Sequence, residues 1–98
     1  MNMQALMQQA QKMQKDLQKK QEELAGMEFE GTSEWVKVIL TGDKELKKIN
    51  INKMNLDEDD MEMLEDMIQI AFKDALSKVE KAYDDKLGMY GKQLNGLI

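Results

Sequence analysis

Residues 59–75 constrain the fold of this chain more than any other stretch. They read Asp59-Asp60-Met61-Glu62-Met63-Leu64-Glu65-Asp66-Met67-Ile68-Gln69-Ile70-Ala71-Phe72-Lys73-Asp74-Ala75. Met61, Leu64, Ile68, Ala71, Ala75 and Ala82 fall on one side of a helix, and Met67, Phe72, Leu76 and Val79 widen the stripe. The acids at the start suit the positive end of a helix dipole. Asn55 with Glu58 three residues on fits a capping box, so the pattern predicts a helix beginning at Asn55 or Asp57 and running to about Leu87. The last segment, 88–98, holds Gly88, Gly91 and Gly96 and reads as a flexible tail.

A second helical pattern covers residues 3–25. Met3, Leu6, Ala10, Met13, Leu17 and Leu24 recur at alternating three- and four-residue steps, a coiled-coil-like seam that Lys20 interrupts. Gly26 is placed to end this helix in the left-handed conformation that glycine adopts cheaply. Between the helices the period changes to two. Met27 and Phe29 alternate with acids, and Gly31-Thr32-Ser33 reads as a turn. In the β-branched run Trp35–Leu40, Val36, Val38 and Leu40 share a face opposite Trp35, Lys37 and Ile39. Gly42-Asp43 marks another turn, and Glu45–Asn52 a third strand with Lys47, Ile49 and Ile51 on one side. Three strands within about residues 27–52, joined by short turns, predict an antiparallel meander between two long helices: an α+β fold of order α-β-β-β-α in a single domain, 1–98.

The length argument extends to assembly. At about 1.5 Å per residue the helices would span roughly 35 and 45 Å, whereas six-residue strands span about 20 Å. Both helices must overhang the sheet. Their uncovered stripes are closed either by one another, as an antiparallel hairpin, or by a second copy of the chain.

Composition narrows the function. The chain has 98 residues, no cysteine and no histidine, which excludes disulfides, thiolate chemistry and zinc held by Cys or His. Ser33 and Ser77 belong to no recognisable triad, so no enzyme is expected. Asp57–Asp60 lack the spacing of a calcium loop and read as a solvated helix start, so no metal or other cofactor is expected. No run of about 18 apolar residues and no signal-peptide pattern occur, so a soluble cytoplasmic protein with no membrane partner is expected. Nothing points to a small-molecule substrate.

The net charge of −5 is unevenly spread. Residues 1–26 carry four Lys and three acids, 27–56 five of each, and 57–98 five Lys against eleven acids. Every basic residue is lysine. Arginine is the residue suited to bidentate base reading, so its absence argues against sequence-specific recognition. Lysine–phosphate contacts remain open. The candidates are Lys12, Lys15, Lys19 and Lys20 on the first helix and Lys78, Lys81 and Lys86 on the second. Lys12, Lys15 and Lys19 share a helix side by spacing. The competing reading is that these are ordinary solvated lysines paired with Asp16, Glu22, Glu23 and Asp85. Trp35 offers a stacking surface for a base but more commonly such a residue serves core or interface. Among the ten methionines, Met13, Met61 and Met67 lie on the stripes and read as core fillers rather than as a partner-binding surface.

The string 59–75 resembles the second long helix of the YbaB/EbfC family of bacterial nucleoid-associated proteins. Gly31, Val36-Lys37-Val38, Gly42 and Ile49-Asn50-Ile51-Asn52 resemble the family's glycine-punctuated strands. Met13–Ala25 is similar to its Gln/Lys/Glu-rich first helix, and Gly96-Leu97-Ile98 to its chain end. Glu34-Trp35, Asn52-Lys53 and Lys73 depart from its usual residues without breaking an element. The resemblance implies a tweezer-like homodimer that binds double-stranded DNA in the nucleoid with little sequence preference. The alternative is an acidic protein-interaction dimer or adaptor with little or no DNA binding, which the net charge and the missing arginine favour.

Overall fold

The computed structural model describes residues 2–95, with side chains described through residue 88. The order is α1 (Met3–Ala25), β1 (Glu28–Thr32), β2 (Val36–Thr41), β3 (Leu46–Ile51) and α2 (Glu58–Asn95). The strands form one antiparallel sheet in the order β1-β2-β3, as the alternating pattern predicts. Val36, Val38 and Leu40 are buried beneath α2, while Lys37 and Ile39 lie half-buried on the open face. A bulge between Ile39 and Leu40 shifts the pairing. Leu46, Ile49 and Ile51 therefore stand opposite Leu40, Val38 and Val36, and Lys47 does not share their face as the plain alternation of two predicts.

One helix makes the core. Leu64, Met67, Ala71, Ala75 and Val79 of α2 close over Phe29, Val36, Val38 and Leu40, with Ile68, Leu76, Ala82 and Tyr83 packed around them. The approach is closest at β1. A Cβ on Gly31 would collide with the Ala71 carbonyl and the Ala75 amide, and would stand 2.8 Å from the Ala75 Cβ. Gly31 thus lies inside β1, and its side-chain-free face is what α2 rests on. Polar ties flank this contact. The Ser33 hydroxyl donates to the Met67 carbonyl (2.8 Å), and the Tyr83 hydroxyl to the Gly42 carbonyl (2.8 Å).

Two glycines serve purposes other than the expected ones. Gly26 ends α1 in the right-handed region (φ −83°), not the left-handed one. Its amide bonds the Glu22 carbonyl and the next amide, Met27, bonds Leu24, so the chain tightens directly into β1. In the turn after β2 the positive φ falls on Lys44 (64°). Gly42 is needed because a Cβ there would collide with the Leu24 carbonyl at the end of α1.

The start of α2 also differs from the Asn55–Glu58 box. The Asp57 amide donates to Asp60 Oδ2 (3.0 Å) and the Asp60 amide to the Asp57 carbonyl (3.0 Å). Lys53 holds the same carboxylate at 3.0 Å and lies 3.8 Å over the Trp35 ring. This cation draws the box two residues on. Trp35 packs against the core with Lys53 on its ring, so a base has no free face there. At its other end α2 runs to Asn95, past the expected stop near 87. A Cβ on Gly88 would meet nothing within 4 Å. Each of the two glycines in this part of α2, Gly88 and Gly91, costs about 1 kcal/mol in a helix, too little to stop one this long, and no proline follows. Residues 96–98, the rest of the expected tail, lie outside the described residues.

Replacing Gly31 by Val should cost at least about 2 kcal/mol, because the obstacle is backbone on both sides. A fall in the urea midpoint at unchanged m-value checks this. The hydrogen bond from the Asp57 amide, joined by Lys53, holds the Asp60 carboxyl below the usual carboxylate range. A carboxylate depressed on folding contributes stability above its unfolded pKa, and that contribution is lost as pH falls through the folded value. Asp60→Asn should therefore lower the melting temperature at pH 7 and leave it nearly unchanged from wild type below the folded pKa. An equal loss at both pH values would assign the effect to packing alone.

Candidate nucleic-acid interface

The first helix projects. Of its 23 residues only Leu24 is buried, and Leu17, Lys20 and Ala25 are half-buried. Met3, Leu6, Met7 and Met13 are exposed. The seam predicted to be covered is covered only in its last turns, because the rest extends away from the sheet. The long axis measures 71 Å. At about 1.5 Å per residue α2 accounts for roughly 57 Å of this, and α1 supplies the remainder. The root of the projection is the contact of Leu24 with Gly42, next to Tyr83.

Lys12, Lys15 and Lys19 are exposed on this helix. At 100° per residue they fall within about 60° of one another, centred opposite the seam. Among the described residues Lys12, Lys15 and Lys19 form no ion pair with Asp16, Glu22 or Glu23, whereas Lys37 is joined to Glu30, Lys47 to Glu28, Lys53 to Asp60 and Lys78 to Asp74. Lys20, one residue on, lies on the seam side of the helix and is half-buried, so it does not share this face.

The lysines of α2 are disposed differently. Lys78 turns back to the sheet, donating to the Glu30 carbonyl (2.6 Å) and lying 3.8 Å from Asp74. Lys86 reaches the Met27 sulfur (3.9 Å) at the root of α1. Lys81 is exposed. The structure thus groups Lys12, Lys15 and Lys19 on one projecting face, sets Lys86 at its base, and draws Lys78 away to β1. That last attachment has no signature in the sequence, since it depends on which side of α2 meets the strand edge.

Acidic groups collect elsewhere. Asp57–Asp60, Glu62, Glu65 and Asp66 lie on the first turns of α2, beside Ser33 at the far end of the sheet. From Met67 to Lys86 the helix advances roughly 29 Å before it reaches the root of α1. Met54, Leu56, Met61 and Met63 are exposed around these acids. Of the three stripe methionines read as core fillers, only Met67 is buried; Met13 and Met61 lie where helix overhangs sheet. A hollow of about 480 Å³ is lined by Asp43, Glu80 and Asp84 with Lys44, Gly42 and Tyr83. Among the described residues no His, Cys, Asp and Glu cluster is arranged to hold a metal ion. No described helix is long and apolar enough to cross a membrane.

Comparison with known proteins finds relatives along nearly the whole chain. A nucleoid-associated protein of Lactococcus lactis subsp. cremoris is 48% identical over 96 residues, covering 96% of this chain and 97% of its own. One from Enterococcus faecalis is 42% identical, covering 97% and 93%. One from Ligilactobacillus salivarius is 40% identical, covering 99% and 95%. The model of the YbaB/EbfC DNA-binding family matches residues 1–94. The chain belongs to the YbaB/EbfC DNA-binding family, whose members are not enzymes.

Proposed function

We propose that this protein is a nucleoid-associated, cytoplasmic protein that binds double-stranded DNA as a homodimer through the phosphate backbone, with little sequence specificity. The observation that carries this reading is the exposed lysine face of α1, Lys12, Lys15 and Lys19, on a helix that projects away from the acidic start of α2. Membership in a DNA-binding family supports it. Lysine is a point charge on a flexible stem, and its contact with phosphate is indifferent to the base. Each lysine that neutralises a phosphate releases condensed counterions, which is the source of the binding free energy. Lys81 and Lys86 extend the positive surface toward the base of the projection, Lys20 adds charge on the seam side of α1, and Lys78 adds charge behind it while bound to β1. The acids of α2 repel the duplex, so the surface that meets DNA excludes that end.

Surface area supports the dimer. A compact monomer of 11.3 kDa exposes about 5,700 Å², and this chain exposes 7837 Å². The excess of roughly 2,100 Å² is more than the ~800 Å² per partner that a stable interface requires. Two projections on one dimer also make the second phosphate contact intramolecular, which multiplies a weak affinity without any new chemistry.

A second reading has its own observation. Met54, Leu56, Met61 and Met63 are exposed among the acids at the start of α2, and an apolar surface with an acidic rim suits a basic protein partner. The two readings place the contact at opposite ends of the molecule.

Binding to two unrelated duplexes should be equal, and six phosphate contacts per dimer give a slope of log K against log salt of roughly −5. Replacing Lys12, Lys15 and Lys19 together by Glu should weaken binding to both duplexes by at least about tenfold and flatten the slope, with dimer mass and helix content unchanged. Unchanged affinity would remove α1 from the mechanism. No binding by wild type near 50 mM salt would favour the protein-partner reading.

A further inference from the structure

The lysines occupy one side of α1, and the opposite side plays no part in the grip on phosphate. Met3, Leu6, Ala10 and Met13 recur on that side at three- and four-residue steps, and all four are exposed. Met7, beside Leu6, is 61% exposed. Cover begins only at Leu17, which is half-buried. At about 1.5 Å per residue, Met3 lies roughly 21 Å beyond Leu17 along the helix. A second feature coincides with the first. Charged residues make up 34% of the chain, yet residues 2–11 carry no charged side chain. The positions around the apolar ones are Gln4, Gln8, Gln9 and Gln11. Enrichment in methionine with depletion of charge is the composition of an interface centre, and it is unlike that of a solvated helix end.

We propose that the outer part of α1, Met3–Met13, is a contact between separate molecules, pairing antiparallel with the same segment of another copy as a short coiled coil. The width of the seam selects a helix as its occupant. Alternating three- and four-residue steps make a narrow stripe that fits a facing helix. A stripe that lies on a bilayer is broader and carries Trp or Phe, and α1 contains no aromatic residue. Self-complementarity selects a copy of this chain. In the register centred on Gln8, Met3 packs on the partner's Met13, and Leu6 on the partner's Ala10, so a large side chain meets a small one and flexible methionines fill the ends. On the flanks Met7 meets the partner's Met7, and Gln9 meets the partner's Gln9, so no like charges oppose one another.

The antiparallel direction follows from how α1 is rooted. Its Leu24 end is fixed to the body of the molecule, so overlap of two outer ends in opposite directions sets the two bodies apart. Lys12, Lys15 and Lys19 point away from the seam, and pairing leaves them uncovered. The contact is small. About six residues a side is far below the ~20–30 of a stable interface, so it is weak between free molecules. It takes effect where DNA gathers molecules at high local concentration, and in that respect it rests on the DNA-binding reading. The outcome is cooperative occupation of a long duplex by molecules that touch through their uncharged ends.

Because the chain has no cysteine, Met7→Cys supplies a single thiol per chain. Treated with a short bis-maleimide on a duplex that holds several molecules, this variant should give linked species whose native mass, after digestion of the DNA, is twice that of the unlinked protein. Gln8→Cys, on the side turned from the seam, should not. The double variant Leu6→Gln with Met7→Gln keeps helix formers at exposed positions. It should bind a duplex that holds one molecule as wild type does, and bind the longer duplex at least about fivefold more weakly. Linked species that keep the native mass of the unlinked protein, equal linking at positions 7 and 8, or unchanged binding of the double variant to the longer duplex each overturn the proposal. Binding of wild type to phosphatidylglycerol vesicles that the double variant loses, with no doubled mass, assigns the seam to a lipid surface and also overturns it. If wild type binds no DNA, the DNA reading fails by itself, and linking of Met7→Cys at high protein concentration still decides the seam.

Discussion

Everything in this fold depends on how closely one helix can approach one strand. Gly31 presents bare backbone to the Ala71 carbonyl and the Ala75 amide. Small residues on both sides let α2 descend onto β1 until Ser33, Asp74 and Lys78 come within hydrogen-bonding reach. Any larger side chain at these positions would lift the helix, breaking the polar ties and opening the core formed by Val38, Leu40 and Val79 together. Because no residue on α1 but Leu24 contributes a buried side chain, no other contact compensates.

The same contact sets the asymmetry of the molecule. A helix seated over β1 cannot also cover β3, so one sheet edge is capped and the other is left with exposed isoleucines. A helix far longer than the sheet must overhang it at both ends. At one end the overhang carries seven acids and exposed methionines; at the other α2 continues beyond Tyr83 beside the root of the projecting α1. Charge separation along the chain follows from where the core ends, with no arginine involved.

Those parts of the structure governed by periodicity were legible in the sequence. The faces of β2, the buried stripe of α2 and the order of elements follow from which residues recur at two or at 3.6. Features governed by a tertiary neighbour were not. Gly26 and Gly42 look alike as punctuation, yet neither uses the left-handed region, and Gly42 is present because α1 ends against it. The capping box moved to Asp57 and Asp60 because Lys53, held over Trp35, selects one carboxylate from a run of similar ones. For the candidate site, the shared face of Lys12, Lys15 and Lys19 was visible from spacing, whereas the diversion of Lys78 to Glu30 was not. A helical repeat tells which residues lie together, but not what lies across from them.

Under the proposed function, the lysine face makes assembly and binding one problem in this protein. Three lysines on one exposed helix supply little affinity at physiological salt, because each contact is screened and the chain as a whole is acidic. Adding lysines to α2 would not help, since those nearest the sheet are drawn into sealing β1 and anchoring the root of α1. A chain built this way gains affinity by doubling the projection rather than by enriching it. The open β3 edge lies on the sheet, away from the lysine face of α1. Under the same proposed function, the acids at the start of α2 act as a constraint on docking, since their charge repels a duplex from that end of the molecule.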